Sequence, residues 1–179
     1  SPRRCVASPP CGLPARTPVK FVDELYAGLA RCAKQFGMAI VGGDTVRAPI
    51  IVVDVAILGE AKTSQVILRS GARVGDQVFV TGRLGGSLKS GRHATFIPRV
   101  AQAQWLVRHL KPHAMMDVSD GLASDLWQLA RASRVTFRIE ERAIPVSWAG
   151  GTVRHALMDG EDFELLWTLP ARLASRAPR

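Results

Sequence analysis

The chain has 179 residues, 47% of them apolar, and a formal net charge of +9 at pH 7. This length holds one ordinary domain or two small ones with a real core, and no stretch approaches the roughly 20 apolar residues that span a bilayer. The positive charge is mostly arginine scattered from Arg3 to Arg179, and Tyr26 is the only tyrosine, which argues against a base-stacking platform and against nucleic acid as a partner, although a basic surface also attracts nucleotide phosphates.

Cys5, Cys11 and Cys32 form no CxxC pair and are odd in number, as for free thiols in a reducing cytoplasm. Ser1-Pro2-Arg3-Arg4 is basic, but no apolar segment follows it, so no signal peptide is expected. Residues 1–19, rich in Pro and Arg, read as an extended edge or a loop. Residues 20–37 read as a helix with Phe21, Leu25, Leu29 and Cys32 near one face and Gly37 at its C-terminal cap. Tyr26 falls one position off that face, where a half-buried packing role competes with a binding role.

Met38 to Val41 reads as a short buried strand that breaks into Gly42-Gly43-Asp44-Thr45. A glycine without Cβ lets the backbone approach a ligand, and an acid at a strand end can hold a metal against phosphate. The same four residues also make a plain turn. Pro49 to Leu58 is strongly β, interrupted by Asp54, and the first unit gives way to a second around residues 61–68. Arg69-Ser70-Gly71-Ala72 and Gly75-Asp76 frame a turn before a strand at Gln77–Thr81. Arg69 can clamp a phosphate with its guanidinium fork, or be a surface arginine. Leu88 stands where a P-loop needs glycine before Lys89.

Residues 87–97 form a polar connection, and Val100 to Leu110 an amphipathic helix with Trp105, Leu106 and Leu110 as core contacts. His109 and His113 flank Pro112 without an HExxH pattern, so no zinc site is expected. The central stretch is Met115-Met116-Asp117-Val118-Ser119-Asp120-Gly121-Leu122. Asp117 and Asp120 can aim carboxylate oxygens at a hard divalent cation just past a strand end. Ser119 and the first amides of the following helix can bind phosphate. The competing reading is a helix N-cap built by Ser119 or Asp120. Leu122, Leu126 and Leu129 then line one helix face to about Ser133. Val135 to Ile139 alternates like a half-buried strand. In Asp159-Gly160-Glu161-Asp162-Phe163-Glu164-Leu165-Leu166-Trp167-Thr168, acids at a loop feed a strand. Glu161 and Asp162 suit a cationic substrate or a metal, or form a charged turn.

In order and spacing, GGDT, RSGARVGDQVFVTG, DVSDGLASDL and GEDFELLW resemble the thiamine-monophosphate kinase family, and the resemblance covers about residues 13–168. It implies an α/β, two-domain aminoimidazole ribonucleotide synthetase-like fold, with 1–62 a partial first domain and 63–179 most of the second. The implied reaction is direct, Mg²⁺-assisted phosphoryl transfer from ATP to thiamine monophosphate, with no covalent intermediate. Gly43, Asp44, Arg69 and Ser119 would meet the nucleotide, with Tyr26 a weaker candidate. Asp44, Asp117 and Asp120 would hold Mg²⁺, and Glu161 would touch thiamine phosphate. The family also implies a cytoplasmic homodimer with neither membrane nor nucleic-acid partner. An acidic N-terminal part and a C-terminal closing segment of the family lie outside the resemblance, so the isolated chain is not expected to turn over. Val46, Asp159 and Trp167 stand where threonine, glycine and phenylalanine are usual. The alternatives are another ATP-using enzyme of the superfamily and a catalytically dead nucleotide-binding relic.

Overall fold

The structure, a computed structural model, describes residues 5–177. It divides into two compact units, one ending at Ser64 and one beginning at Gln65.

The first unit runs β1 (Cys5–Ser8), β2 (Cys11–Leu13), α1 (Val19–Gln35), β3 (Ala39–Ile40), β4 (Thr45–Arg47), β5 (Val52–Val53) and β6 (Ala56–Gly59). The early Pro-rich stretch is not an edge or a loop: β1 is central in a sheet ordered β3-β1-β6, and β2 is central in one ordered β4-β2-β5. Pro9 and Pro10, lacking N–H donors, interrupt the ladder between β1 and β2. Their carbonyls remain paired, with the Tyr26 hydroxyl donating to Pro9 at 3.2 Å and the Asp54 amide to Pro10 at 3.1 Å. The β run 49–58 is accordingly split at Asp54.

Helix α1 presents Val22, Leu25, Tyr26, Leu29 and Ala33 as its half-buried to buried positions, while Phe21 and Cys32 are exposed. The apolar face is therefore rotated by one position from the expected one and includes Tyr26. Gly37, at φ 66°, supplies the left-handed residue after the helix end. The 38–41 strand is short and largely exposed rather than buried, and Val46, Ile57 and Leu58 also face solvent.

The second unit runs β7 (Asp76–Val80), α2 (Ser87–Ser90), α3 (Val100–His109), β8 (Ala114–Val118), α4 (Leu122–Ser133), α5 (Val153–Met158) and β9 (Glu164–Pro170). Its sheet is ordered β7-β9-β8, with β9 antiparallel to both neighbours. Leu166 of β9 packs with Val118, Leu122, Leu126 and Leu129 on one face. Trp167 and Leu169 pack with Leu106 of α3 and Leu110 just past its end on the other. This explains the nearly unbroken apolar run of β9, a central strand covered on both sides. Trp105 is not a core contact: it is 39% exposed and stacks on His109, because Leu106 and Leu110 occupy the inward stripe of α3.

Residues 135–138 alternate between half-buried and exposed, as a strand would, but Ile139 is exposed too and the segment pairs with no strand among the described residues. A cleft of about 550 Å³, floored by Leu122, Leu126 and Leu166, lies between them and β7. No helix among the described residues is long and apolar enough to cross a membrane.

Candidate functional site

Because β7 and β8 both run antiparallel to β9, the ends of β7 and β8 and the start of β9 fall at one edge of the sheet. Three loops meet there: 81–87, 119–121 and 159–163. The last two are laced together by their backbones. The Glu161 amide donates to the Ser119 carbonyl at 2.8 Å, and the Phe163 amide to the Val118 carbonyl at 2.8 Å. Gly160 packs so closely that a Cβ there would lie 2.4 Å from the Ser119 oxygen. Asp117, Ser119, Asp120 and Glu161 are therefore brought into one corner.

The N-cap reading of Ser119 and Asp120 does not hold. Gly121, at φ 97°, occupies the cap position of α4 with no side-chain hydrogen bond. Asp125 reaches back from the first turn instead, its Oδ2 accepting the Ser119 and Asp120 amides at 3.0 and 3.1 Å. Asp117 and Asp120 are left exposed. Asp125 is 1% exposed, and its Oδ1 has no partner among the described residues. Burial pushes its carboxyl above the usual range, and the nearby charges of Asp120 and Asp117 add to that rise.

The 81–87 loop is tied to the 159–164 stretch by acids. Asp162 Oδ2 accepts the Gly85 amide, and Asp159 Oδ2 the Gly86 amide, both at 2.8 Å. The Ser87 hydroxyl donates to the Glu161 carbonyl at 2.6 Å. Asp162 is thus a buried structural acid, not a ligand offered to solvent, whereas Glu161 stays half exposed. Sequence reasoning missed Asp125, Glu164, Arg92 and Arg99. The available signal was an acid, Glu164, heading a strand otherwise apolar on both faces.

Asp159 also accepts from His155 at 3.0 Å. That bond, with the Gly86 amide next, holds its carboxyl below the ordinary 3.8. A depressed carboxyl contributes stability that is complete above the ordinary value and is lost as pH falls through the folded one. An Asp159→Asn chain should therefore be less stable at neutral pH, with the deficit shrinking as pH falls below 3.8. Urea unfolding across pH measures this.

In the first unit, Gly43 lies against the Pro9 carbonyl and the Tyr26 hydroxyl, at 2.9 and 3.5 Å from the place a Cβ would take. Asp44 is exposed, accepts the Thr45 amide at 2.8 Å, and receives the Cys11 amide on its carbonyl at 2.7 Å. Gly43, Asp44 and Tyr26 thus form one local group. A hydrogen bond with Cys11, then burial, raises the Tyr26 phenol. In the second unit, Arg69 is exposed and donates to Gln128 at 3.3 Å. It lies about two turns along α4 from its start and is not gathered into the acid corner.

Residues 5–61 match the family model "AIR synthase related protein, N-terminal domain". A thiamine-monophosphate kinase of Rhodopirellula baltica is 42% identical over 166 residues, covering 87% of this chain and 51% of that protein. The structure of AaThiL complexed with AMPPCP and TMP superposes with a TM-score of 0.78 at 28% identity, covering 96% of this chain and 63% of that one. The hydrogenase maturation protein HypE of E. coli shares the fold, with a TM-score of 0.80 at 21% identity over 98% of this chain and 61% of that one. The chain has an AIR synthase-like fold, and its residues 5–61 resemble the N-terminal domain of the AIR synthase-related proteins. Its sequence is similar to thiamine-monophosphate kinases at up to 42% identity, and it spans about half the length of the curated relatives it matches.

Proposed function

We propose that the protein transfers the terminal phosphoryl group of ATP directly to thiamine monophosphate, giving ADP and thiamine diphosphate. The observation that carries this reading is the lacing of the 118–121 and 159–163 loops, which joins the backbone next to the exposed Asp117 and Asp120 to the backbone of Glu161. The relatives' names and the AMPPCP and TMP bound to AaThiL support the same chemistry.

The donor set suits Mg²⁺. Asp117 and Asp120 offer only oxygen ligands, and their charges raise Asp125, so a cation would relieve the corner. No three metal-competent side chains converge among the described residues, and Mg²⁺ usually takes phosphate oxygens and water beside one or two carboxylates. Bound there, Mg²⁺ would neutralise charge on the phosphates. Ser119 would donate to a phosphate oxygen, and Glu161 would face the cationic thiazolium ring. In the first unit, Gly43 would admit a phosphate to the backbone, Asp44 would serve nucleotide and metal, and Tyr26 would border them. Arg69 would reach the phosphates from the segment before β7, beside Gln128 of α4. Direct transfer needs no nucleophilic side chain, only positioning and charge.

The exposed apolar side chains of the first unit support a homodimer, and the three free cysteines fit the cytoplasm. With Asp117 and Asp120 as the two acids proposed to hold Mg²⁺ in this unit, the isolated chain should bind ligands without turnover. Thiamine diphosphate formed by it would overturn that expectation.

Thermal unfolding tests the reading. Thiamine monophosphate with Mg²⁺ and AMPPCP should raise the melting temperature, since ligand at a hundredfold its Kd adds about 2.7 kcal/mol. Aminoimidazole ribonucleotide precursors should not. Protection by those precursors alone would favour the sister enzymes of the superfamily.

A further inference from the structure

Between α2 and α3 runs a polar connection that the reaction does not use. The structure makes it a grip on the candidate substrate loop. Glu164 is 1% exposed and heads β9. Arg99 binds it with both arms of its fork, Nε to Oε2 and Nη2 to Oε1, each at 2.7 Å. Arg92 Nη2 donates to Glu164 Oε1 at 2.5 Å and to the Asp162 carbonyl at 2.9 Å, while its Nη1 donates to the Arg83 carbonyl at 2.8 Å. The Thr81 hydroxyl also donates to Glu164. Phe96 stacks on Phe163 with ring centroids 4.4 Å apart.

The gripped stretch holds two of the four non-glycine residues with positive φ among the described residues. Glu161 and Phe163 have φ of 65° and 51°, and neither is glycine. Side-chain-bearing residues persist in the left-handed region only where their surroundings over-determine them. The two residues alternate with Asp162 and Glu164, the buried acids that Arg92 and Arg99 hold. A buried carboxylate stays charged only if such partners remain.

We propose that Arg92 and Arg99, acting through Glu164, are positioning residues that hold the Glu161 turn in its left-handed form and so aim the Glu161 carboxylate. The proposal rests on the kinase reading only for what Glu161 touches. Arg99 should not be replaceable by lysine without loss, because a point charge cannot reproduce the two-armed contact.

Amide hydrogen exchange on the 179-residue chain tests this. In Arg99→Ala, exchange at the Glu161 and Phe163 amides should quicken by about tenfold or more while Leu129, in the α4 core, is unchanged, since local opening need not involve global unfolding. Arg92→Ala should do the same, and Arg99→Lys should fall between. In parallel titrations, the Kd for thiamine monophosphate should rise about tenfold in Arg99→Ala, with that for AMPPCP within about twofold. Equal acceleration at all three amides, or none at Glu161 and Phe163, would overturn the positioning role. If the unaltered chain fails to bind thiamine monophosphate, the kinase reading falls, and the exchange result still decides the positioning role.

Discussion

Asp120→Ala should leave the chain folded and weaken its Mg²⁺-dependent affinity for AMPPCP by about a hundredfold, the scale of losing a metal-site partner. The two halves of that result have separate causes. Asp120 is exposed and does not cap α4, because Gly121 takes that position and Asp125 binds the loop amides. Its amide bond to Asp125 survives the substitution, and a like charge beside a buried carboxylate is removed. Stability should therefore change by no more than about 0.5 kcal/mol, as at ordinary surface sites. If Asp120 were instead a cap, alanine would cost about 1 kcal/mol and leave affinity alone. Calorimetric titration and urea unfolding of the same preparation separate the two.

Gly160→Ala should have the largest effect on the corner without touching a charged group. The added methyl would lie 2.4 Å from the Ser119 carbonyl oxygen, a backbone atom that cannot swing aside. Either the 159–163 loop moves away, breaking the 2.8 Å bond from the Glu161 amide to Ser119, or the strain stays in place. Overpacking of this kind costs about 1–3 kcal/mol. Urea unfolding should show that loss, and affinity for thiamine monophosphate should fall with it. Gly28→Ala provides the contrast: it lies within α1, and its methyl would meet only the tip of Arg31 at 3.8 Å. That change should stabilise the chain by about 0.4–1 kcal/mol and leave ligand affinity unchanged. Similar losses from both glycines would mean that the Gly160 contact is not special.

Much of the second unit was legible because its periodicities are strong. Leu122, Leu126 and Leu129 define α4 at helical spacing, and the run into Trp167 marks a strand covered on both sides. The first unit was harder. Pro9 and Pro10 argue for a loop, yet the strands on either side of them are central in two small sheets, a pairing set by distant partners rather than by local preference. The alternation holds from Val135 to Arg138 but fails at the exposed Ile139, and without a neighbouring strand among the described residues it yields an unpaired segment. Short α5 lacked enough turns for a periodic signal, although Thr152 accepts the His155 amide as its N-cap.

At the candidate site, local spacing gave Asp117, Ser119 and Asp120, and Gly43 and Asp44 fell together because they are neighbours in sequence. Their environment was not legible. That Asp125 rather than Ser119 or Asp120 serves the loop amides depends on a turn around Gly121. That Asp162 is buried while Glu161 is not follows from alternating side-chain directions on a backbone with left-handed residues. The pairing of Arg92 and Arg99 with Glu164 joins residues 72 and 65 positions apart, beyond the reach of any local pattern.

The most direct test of the account is to titrate thiamine monophosphate into the isotopically labelled chain with Mg²⁺ and AMPPCP present, following the backbone amides by NMR. The account predicts saturable shifts at Ser119, Gly160 and Glu161, with Leu129 unmoved, and loss of those shifts in Asp120→Ala. Shifts confined to other parts of the chain, or none at concentrations that saturate the unaltered relatives, would contradict it.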